Sequence, residues 1–140
     1  MTKYTLIDHT ADIGIEIYAR TKKELFARAA LALAELLAGV PAGRTSRLQA
    51  RRIIVEGVDT EDLLVNFLRE ILYLFNAKGL ALRDCRIEKG GYKRLDAALY
   101  LEPPAGGKIE TKLEIKAVTY HGLRVLRQKS GWVARVIFDV

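Results

Sequence analysis

The residues most able to do chemistry lie near opposite ends of the chain. Asp12 belongs to "HTADIGIEIYA", where a histidine and an aspartate interrupt two apolar runs. Asp139 is the penultimate residue of the apolar segment "WVARVIFDV" and lies beside the carboxylate and carbonyl of Val140. Such oxygen donors suit a hard cation, for example Ca²⁺, Mg²⁺ or Mn²⁺. If the fold joins the two regions, Asp12, Asp139 and Val140 would form a metal site, with water as the remaining ligands.

Other arrangements would also satisfy this acidic chain end. Two adjacent negative groups repel each other unless water, a lysine or arginine, or a metal ion offsets the repulsion. Chain ends are often mobile, so a frayed and solvated Asp139 is the simplest alternative. The apolar, strand-like "WVARVIF" instead favours a terminus that is held in place.

Three further polar residues are candidates for a functional surface. His9 lies three positions before Asp12 and is expected to support the local loop, because the other candidate ligands are all oxygens. Lys116 and His121 belong to "EIKAVTYHGL", near the end of an expected strand. Lys116 could neutralise a carboxylate or contact a phosphate, although an ordinary exposed strand end explains the same residues.

The chain carries none of the common catalytic signatures. The patterns GxxxxGK[ST], GxGxxG, GxSxG and HExxH are missing from the sequence. The single cysteine, Cys85, cannot form an intramolecular disulfide and has no cysteine partner for a zinc site. We expect it to be a small, partly buried side chain.

The composition favours one cytoplasmic domain that spans residues 1–140. Half of the 140 residues are hydrophobic, which is enough to build a core. No apolar run reaches the roughly 18–20 residues that span a bilayer, and the first residues lack the apolar segment of a signal peptide. The net charge of +6 is moderate and scattered, so it permits contact with RNA or an acidic protein without requiring either.

The hydrophobic periodicity predicts an α+β two-layer sandwich, in which a mainly antiparallel sheet packs with two principal helices. One helix is expected in "TKKELFARAALALAELLAG", where Thr21 and Glu24 have the spacing of a capping box. The other is expected in "DTEDLLVNFLREILYLFNAKG", with Asp59 as its N-cap and Gly79 at its end.

The strands are expected on both sides of these helices. "YTLIDHTADIGIEIYA" predicts a strand in two parts, with a bulge or short loop over residues 9–12. "LALRDCRIE" and "YKRLDAALYLE" flank "KGG" as a hairpin would. "LQARRIIVEG", "LEIKAVTYH", "LRVLRQ" and "GWVARVIFDV" also have strand patterns, and in the last of these alternate residues should face the core.

The segments "DHTADIGI", "EDLLVNFLREILYLF", "IKAVTYHGLRV" and "WVARVIFDV" together resemble the archease family in order and spacing. The resemblance covers nearly the whole chain. It implies an archease-like fold and a non-enzymatic protein of tRNA splicing. Such a protein promotes guanylylation and multiple turnover of the GTP-dependent RNA ligase. The resemblance also implies a divalent cation, with calcium as the expected ion, held by Asp12, Asp139 and an oxygen of Val140.

Other functions remain open at this point. An alternative role that the resemblance implies is a chaperone-like modulator of a tRNA cytosine methyltransferase, with the methyltransferase or tRNA as a partner. The same carboxylates could serve a metal-dependent hydrolase, although no general base is evident beyond His9. An RNA-binding module fits the positive charge, but the chain lacks the aromatic stacking set of the common RNA-binding folds.

Overall fold

The computed structural model of the chain describes residues 2–8, 12–41, 47–104 and 109–140, apart from the side chain of residue 8. The described elements confirm an α+β fold with two principal helices. They are β1 (Thr5–Asp8), β2 (Asp12–Ala19), α1 (Lys22–Ala38), β3 (Gln49–Glu56), α2 (Thr60–Lys78), β4 (Ala81–Gly90), β5 (Arg94–Glu102), β6 (Ala117–Val118), β7 (Arg124–Gln128) and β8 (Gly131–Asp139).

The strands form two antiparallel sheets. Sheet A has the order β1-β2-β8-β6, and β7 also pairs with β8; sheet B has the order β3-β5-β4. Helix α1 contacts β2 and β8 of sheet A and β4 of sheet B, while α2 contacts β6 and β7 of sheet A and β3 and β4 of sheet B. The two helices therefore join both sheets to one hydrophobic core.

Both predicted helix starts are confirmed. The Thr21 hydroxyl accepts a hydrogen bond from the Glu24 N–H at 3.1 Å, and Asp59 Oδ1 accepts one from the Asp62 N–H at 2.8 Å. These bonds satisfy N–H groups that have no partner inside the helix. Gly79 ends α2 in the left-handed conformation, and its N–H bonds back to the last turn.

The predicted alternation of the last strand is also confirmed, and it gives sheet A two different faces. Ile15 and Ile17 of β2 are cross-strand partners of Val136 and Ala134 of β8, and all four are buried in the core beneath the helices. The intervening residues lie on the opposite side of the sheet, which we call the outer face. On β2 and β8 the outer face carries Asp12, Gly14, Glu16 and Tyr18 and their partners Asp139, Ile137, Arg135 and Val133.

The strand predicted for "LEIKAVTYH" is wrong in extent, since only Ala117–Val118 pair in a sheet. Just before this strand, the Lys112 N–H donates to the Leu37 carbonyl at 2.7 Å, near the end of α1. The Ile115 carbonyl accepts a hydrogen bond from Asn76 Nδ2 of α2 at 3.2 Å. Because these backbone groups bond to the helices, residues 112–115 follow the helix ends instead of a neighbouring strand.

Gly131 is expected to be essential for the turn between β7 and β8. Its φ is +142°, and a Cβ atom there would lie 2.2 Å from the Ala19 carbonyl oxygen. Gly131→Ala should therefore lower the free energy of unfolding by about 2–3 kcal/mol, through backbone strain and steric overlap. Denaturant titration of the purified variant measures this loss.

Gly122→Ala is the matched control for Gly131→Ala. Gly122 also has a positive φ, of +59°, but a Cβ atom there would have no neighbour closer than 4.0 Å. The control should lose only the cost of the left-handed conformation, about 1 kcal/mol. Equal losses at the two positions would rule out the overlap with Ala19.

Candidate metal centre

The pairing of β2 with β8 brings the two candidate aspartates together. Asp12 is the first residue of β2, Asp139 is the last of β8, and their Cα atoms are register partners. Directly opposed residues of antiparallel strands project to the same face, with Cβ atoms about 4.5–5.5 Å apart. Asp12 therefore belongs to the strand itself, and not to the interruption predicted over residues 9–12.

The last strand is held on both sides. Asp139 pairs with Asp12 of β2 on one side and with Ala117 of β6 on the other. Its carbonyl oxygen also accepts a hydrogen bond from the Lys116 N–H at 2.8 Å. Val140 is partly buried and packs against the hydrophobic core. This anchoring agrees with the apolar pattern of the last strand and not with a frayed terminus.

The paired carboxylates have the chemistry of a cation site. Neither Asp12 nor Asp139 forms an ion pair with a residue that the structure describes. Two like charges that face each other across strands are destabilising, and an oxygen-bound divalent cation would offset them. Within the described part of the chain, no three His, Cys, Asp or Glu side chains are grouped as metal ligands. A cation here would therefore need main-chain or terminal oxygens, or water, in addition to the two carboxylates.

The other predicted surface residues occupy different positions. His9 lies outside the described residues. Lys116 is exposed, and it lines a cavity of about 590 Å³ together with Asn76 of α2. His121 is exposed in the turn after β6, where its N–H donates to Thr119 Oγ1 at 3.3 Å. Of these two described residues, Lys116 is bonded to the candidate site, through its backbone N–H.

A polar cluster that the sequence did not single out ties the segment after β6 to helix α2. The Tyr120 hydroxyl donates to Asp62 Oδ1 at 2.7 Å, and the Arg69 guanidinium lies 5.0 Å from the centre of the Tyr120 ring. Arg69 Nη2 also donates to the Val118 carbonyl at 3.3 Å. These bonds hold β6, which pairs with the strand that carries Asp139. No local pattern could reveal them, because Asp62 and Tyr120 are 58 positions apart.

We expect Tyr120→Phe to raise the pKa of the Asp62 carboxyl. The Tyr120 hydrogen bond is the main cause that holds this pKa below its ordinary value, and the Val58 N–H is the second. A depressed folded-state pKa adds stability above the unfolded-state pKa, and this stability is lost as the pH falls through the folded-state value. The variant should therefore lose less stability on acidification below about pH 4.

Carbon-detected NMR titration of the Asp62 carboxyl measures this pKa directly. Tyr73→Phe is the control, because Tyr73 is an exposed tyrosine of α2, the helix that carries Asp62. The control should leave the Asp62 titration unchanged. If Tyr120→Phe also leaves it unchanged, the hydrogen bond is not the cause of the low pKa.

Cys85 is not suited to nucleophilic chemistry. The thiol is half-buried, as predicted, and burial raises its pKa to about 12. It is therefore protonated at neutral pH, whereas the thiolate is the reactive form.

Among the described residues, no helix is both long enough and apolar enough to cross a bilayer.

The fold and the site define a class of small α+β proteins in which two helices join two antiparallel sheets. In the larger sheet, one aspartate at the start of β2 is paired with another at the end of β8. The profile of the archease protein family (MTH1598/TM1083) matches residues 4–140. The chain belongs to the archease family, which confirms the resemblance found in its sequence motifs.

Individual relatives match along the whole chain. The archease of Pyrococcus abyssi is 38% identical over 100% of both chains, and that of Methanosarcina barkeri is 34% identical over 99% of this chain and 96% of its own. The solution structure of Methanobacterium thermoautotrophicum protein 1598 has a TM-score of 0.74 and 27% identity over 100% of both chains. A crystal structure from Thermotoga maritima, described as an archease and possible chaperone, has a TM-score of 0.65 and 26% identity over 96% of this chain and 94% of its own.

Proposed function

We propose that this protein activates the GTP-dependent RNA ligase of tRNA splicing by promoting ligase guanylylation and repeated turnover. In this proposal it is a cytoplasmic, non-enzymatic partner of the ligase, and it binds a divalent cation, with calcium expected. The observation that carries the proposal is the register pairing of Asp12 with Asp139 beside an anchored chain end, in a member of the archease family.

The position of the paired aspartates suits a site that is presented to another protein. Asp139 is exposed and Asp12 is partly exposed, so a cation between them would be reachable from outside. The cation would be held by the two carboxylates and an oxygen of Val140. When bound near a phosphoryl group, such a cation stabilises the negative charge that develops during transfer.

The described residues give little support to an independent enzyme. Cys85 is protonated at neutral pH, and His121 is exposed in a turn and has no carboxylate bonded to it among the described residues. A hydrolase needs a nucleophile and a base that are close to each other, and no such pair accompanies Asp12 and Asp139 there. An activator needs only a rigid, accessible site.

One observation favours a second candidate function. The Thermotoga maritima archease is described as a possible chaperone. A chaperone-like modulator of another protein, such as a tRNA cytosine methyltransferase, would use the same surface without transferring a phosphoryl group. The two functions differ in the partner enzyme and agree in having a protein partner.

Guanylylation of the ligase is the direct test. Purified ligase is incubated with radiolabelled GTP and a divalent metal, with and without this protein. We expect more guanylylated ligase and several rounds of RNA joining when the protein is present. No gain in either quantity would overturn the proposal. RNA hydrolysis by the protein alone would point to a hydrolase, and a change only in cytosine methyltransferase activity would favour the chaperone-like function.

A further inference from the structure

We propose that the outer face of sheet A, at the end away from the paired aspartates, docks an acidic surface of the protein partner. The docking surface consists of an apolar row, formed by Tyr18, Val133 and Leu126, and of the neighbouring arginines Arg135 and Arg124. The inference rests on the proposed function for the identity of the partner, which is the RNA ligase. Beyond that function, it specifies the surface on which the partner binds and the apolar and charged contacts that hold it.

The apolar row crosses three adjacent strands. Tyr18 of β2 and Leu126 of β7 are both register partners of Val133 on β8. Tyr18 is 53% exposed and Leu126 is 48% exposed, whereas Val133 is buried between them. Large apolar side chains that are contiguous and exposed are typical of protein-binding surfaces, where tyrosine and arginine are enriched.

A groove extends the apolar row beyond the end of β1. Strand β1 begins at Thr5, whose partner is Glu16, so Tyr18 lies past the last paired residue of β2 on this side. A cavity of about 890 Å³ occupies this position and is lined by residues that include Tyr4, Leu6 and Tyr18. The same cavity is also lined by Lys3, Glu16 and Arg28, so a partner side chain that enters it beside Tyr18 would meet both apolar and charged groups.

The row of residues next to the apolar row has an unbalanced positive charge. Arg135 faces Glu16 on one side and Arg124 on the other. Neither arginine forms an ion pair with a described residue, and the Glu16 carboxylate accepts a hydrogen bond from the Tyr18 hydroxyl at 2.6 Å. Like charges that face each other across strands are destabilising. A carboxylate from a partner would relieve the repulsion between Arg124 and Arg135.

The side chain of Arg135 is only partly exposed. Its Nε atom is buried and has no hydrogen-bond partner within the described part of the chain. Buried donors without a partner are rare in native proteins because they cost desolvation free energy. The exposed cations Arg20 and Lys129, which follow β2 and β7, extend the positive charge beyond the two arginines. The surface is therefore complementary to an acidic partner.

An acidic protein fits this surface better than RNA does. Binding of single-stranded RNA commonly relies on several aromatic side chains, on which successive bases stack. The apolar row exposes one aromatic ring, that of Tyr18, and one aliphatic side chain, that of Leu126, which suit the apolar side chains of a protein. Arg135 and Asp139 are four residues apart on the same face of β8, which is roughly 13 Å. A protein docked on the arginines would therefore extend to the paired aspartates.

The test measures the affinity of wild type and charge-reversal variants for the purified ligase by isothermal titration calorimetry. We expect Arg124→Glu and Leu126→Glu each to weaken binding about tenfold or more, because both place a carboxylate against an acidic, apolar partner surface. Both positions are exposed, and thermal denaturation checks that each variant is folded.

Two control variants match these changes in charge. Arg127→Glu makes the same substitution on β7, but Arg127 is the register partner of Trp132 and lies on the opposite face of sheet A. Ile54→Glu introduces a carboxylate at an apolar residue of sheet B that is 51% exposed. Both controls should bind the ligase within about twofold of wild type, since surface changes away from the contact have small effects.

The outcomes separate this inference from the proposed function. Docking variants should regain full ligase activation at saturating concentration, whereas Asp12→Ala should bind the ligase normally without activating it. In one outcome, wild type activates the ligase, but Arg124→Glu and Leu126→Glu bind it as tightly as the Arg127→Glu control does. The proposed docking surface is then wrong, and the proposed activation of the ligase is unaffected. If wild type neither binds nor activates the ligase, both are wrong. If the variants weaken binding of a tRNA but not of the ligase, the surface serves RNA and the inference is overturned.

Discussion

Asp139→Ala and Asp12→Ala are each expected to abolish activation of the RNA ligase while the fold stays intact. Each substitution leaves one carboxylate, which is too few for the oxygen-rich coordination that a hard divalent cation requires. The guanylylation rate with radiolabelled GTP measures the loss. Glu88→Ala is the control, because it removes an exposed carboxylate from β4 in sheet B. It should activate the ligase as wild type does.

Stability with and without calcium distinguishes a metal ligand from a structural residue. A cation that binds only the folded protein should stabilise wild type by about 2.7 kcal/mol at 100 times its Kd. Asp12→Ala and Asp139→Ala should gain nothing from calcium. Without the metal they should be at least as stable as wild type, because they remove the repulsion between the two carboxylates. Metal-free variants that are much less stable than wild type would indicate a structural role instead.

Deletion of Val140 tests the third ligand of the proposed site. The deletion moves the terminal carboxylate to residue 139 and removes a side chain that packs against the core. We expect weaker calcium binding in a calorimetric titration. An unchanged affinity would indicate that water or other oxygens, and not an oxygen of Val140, complete the coordination of the cation by Asp12 and Asp139.

Phe67→Ala is expected to cause the largest loss of stability. Phe67 of α2 is fully buried, and its ring stacks on that of Phe26 of α1 with the centroids 6.3 Å apart. Removal of a buried phenylalanine leaves a cavity and costs about 3–5 kcal/mol, a large part of the roughly 5–15 kcal/mol that stabilises a typical domain. Denaturant titration followed by circular dichroism measures the free energy of unfolding.

Tyr73→Ala is the matched control on the same helix. Tyr73 is 54% exposed, so its truncation should change the free energy of unfolding by about 0.5 kcal/mol or less. A similar small loss for Phe67→Ala would contradict the packing of α1 against α2. Since both helices contact both sheets, the larger loss should also lower ligase activation at temperatures where the variant begins to unfold.

Local features of the fold were predictable from the sequence. The helix starts at Thr21 and Asp59 depend on hydrogen bonds between residues three positions apart. The alternation of β8 depends on the geometry of one strand, in which successive side chains point to opposite faces. The family resemblance came from four short motifs in a fixed order, and it is confirmed along nearly the whole chain. The helix caps and the strand alternation depend on residues that are close together in the sequence, and the family motifs can be read directly from it.

The site and its surroundings depended on the tertiary structure. The sequence could name Asp12 and Asp139, but only the register of β2 on β8 makes them neighbours. The short extent of β6, the bond from Tyr120 to Asp62 and the row from Tyr18 to Leu126 likewise join residues that are far apart in the chain. Strand register is chosen by the burial of one face of the whole sheet, and a shift of one residue would move every side chain to the other face. That choice is a property of the assembled core, so no local pattern around Asp12 or Asp139 contains it.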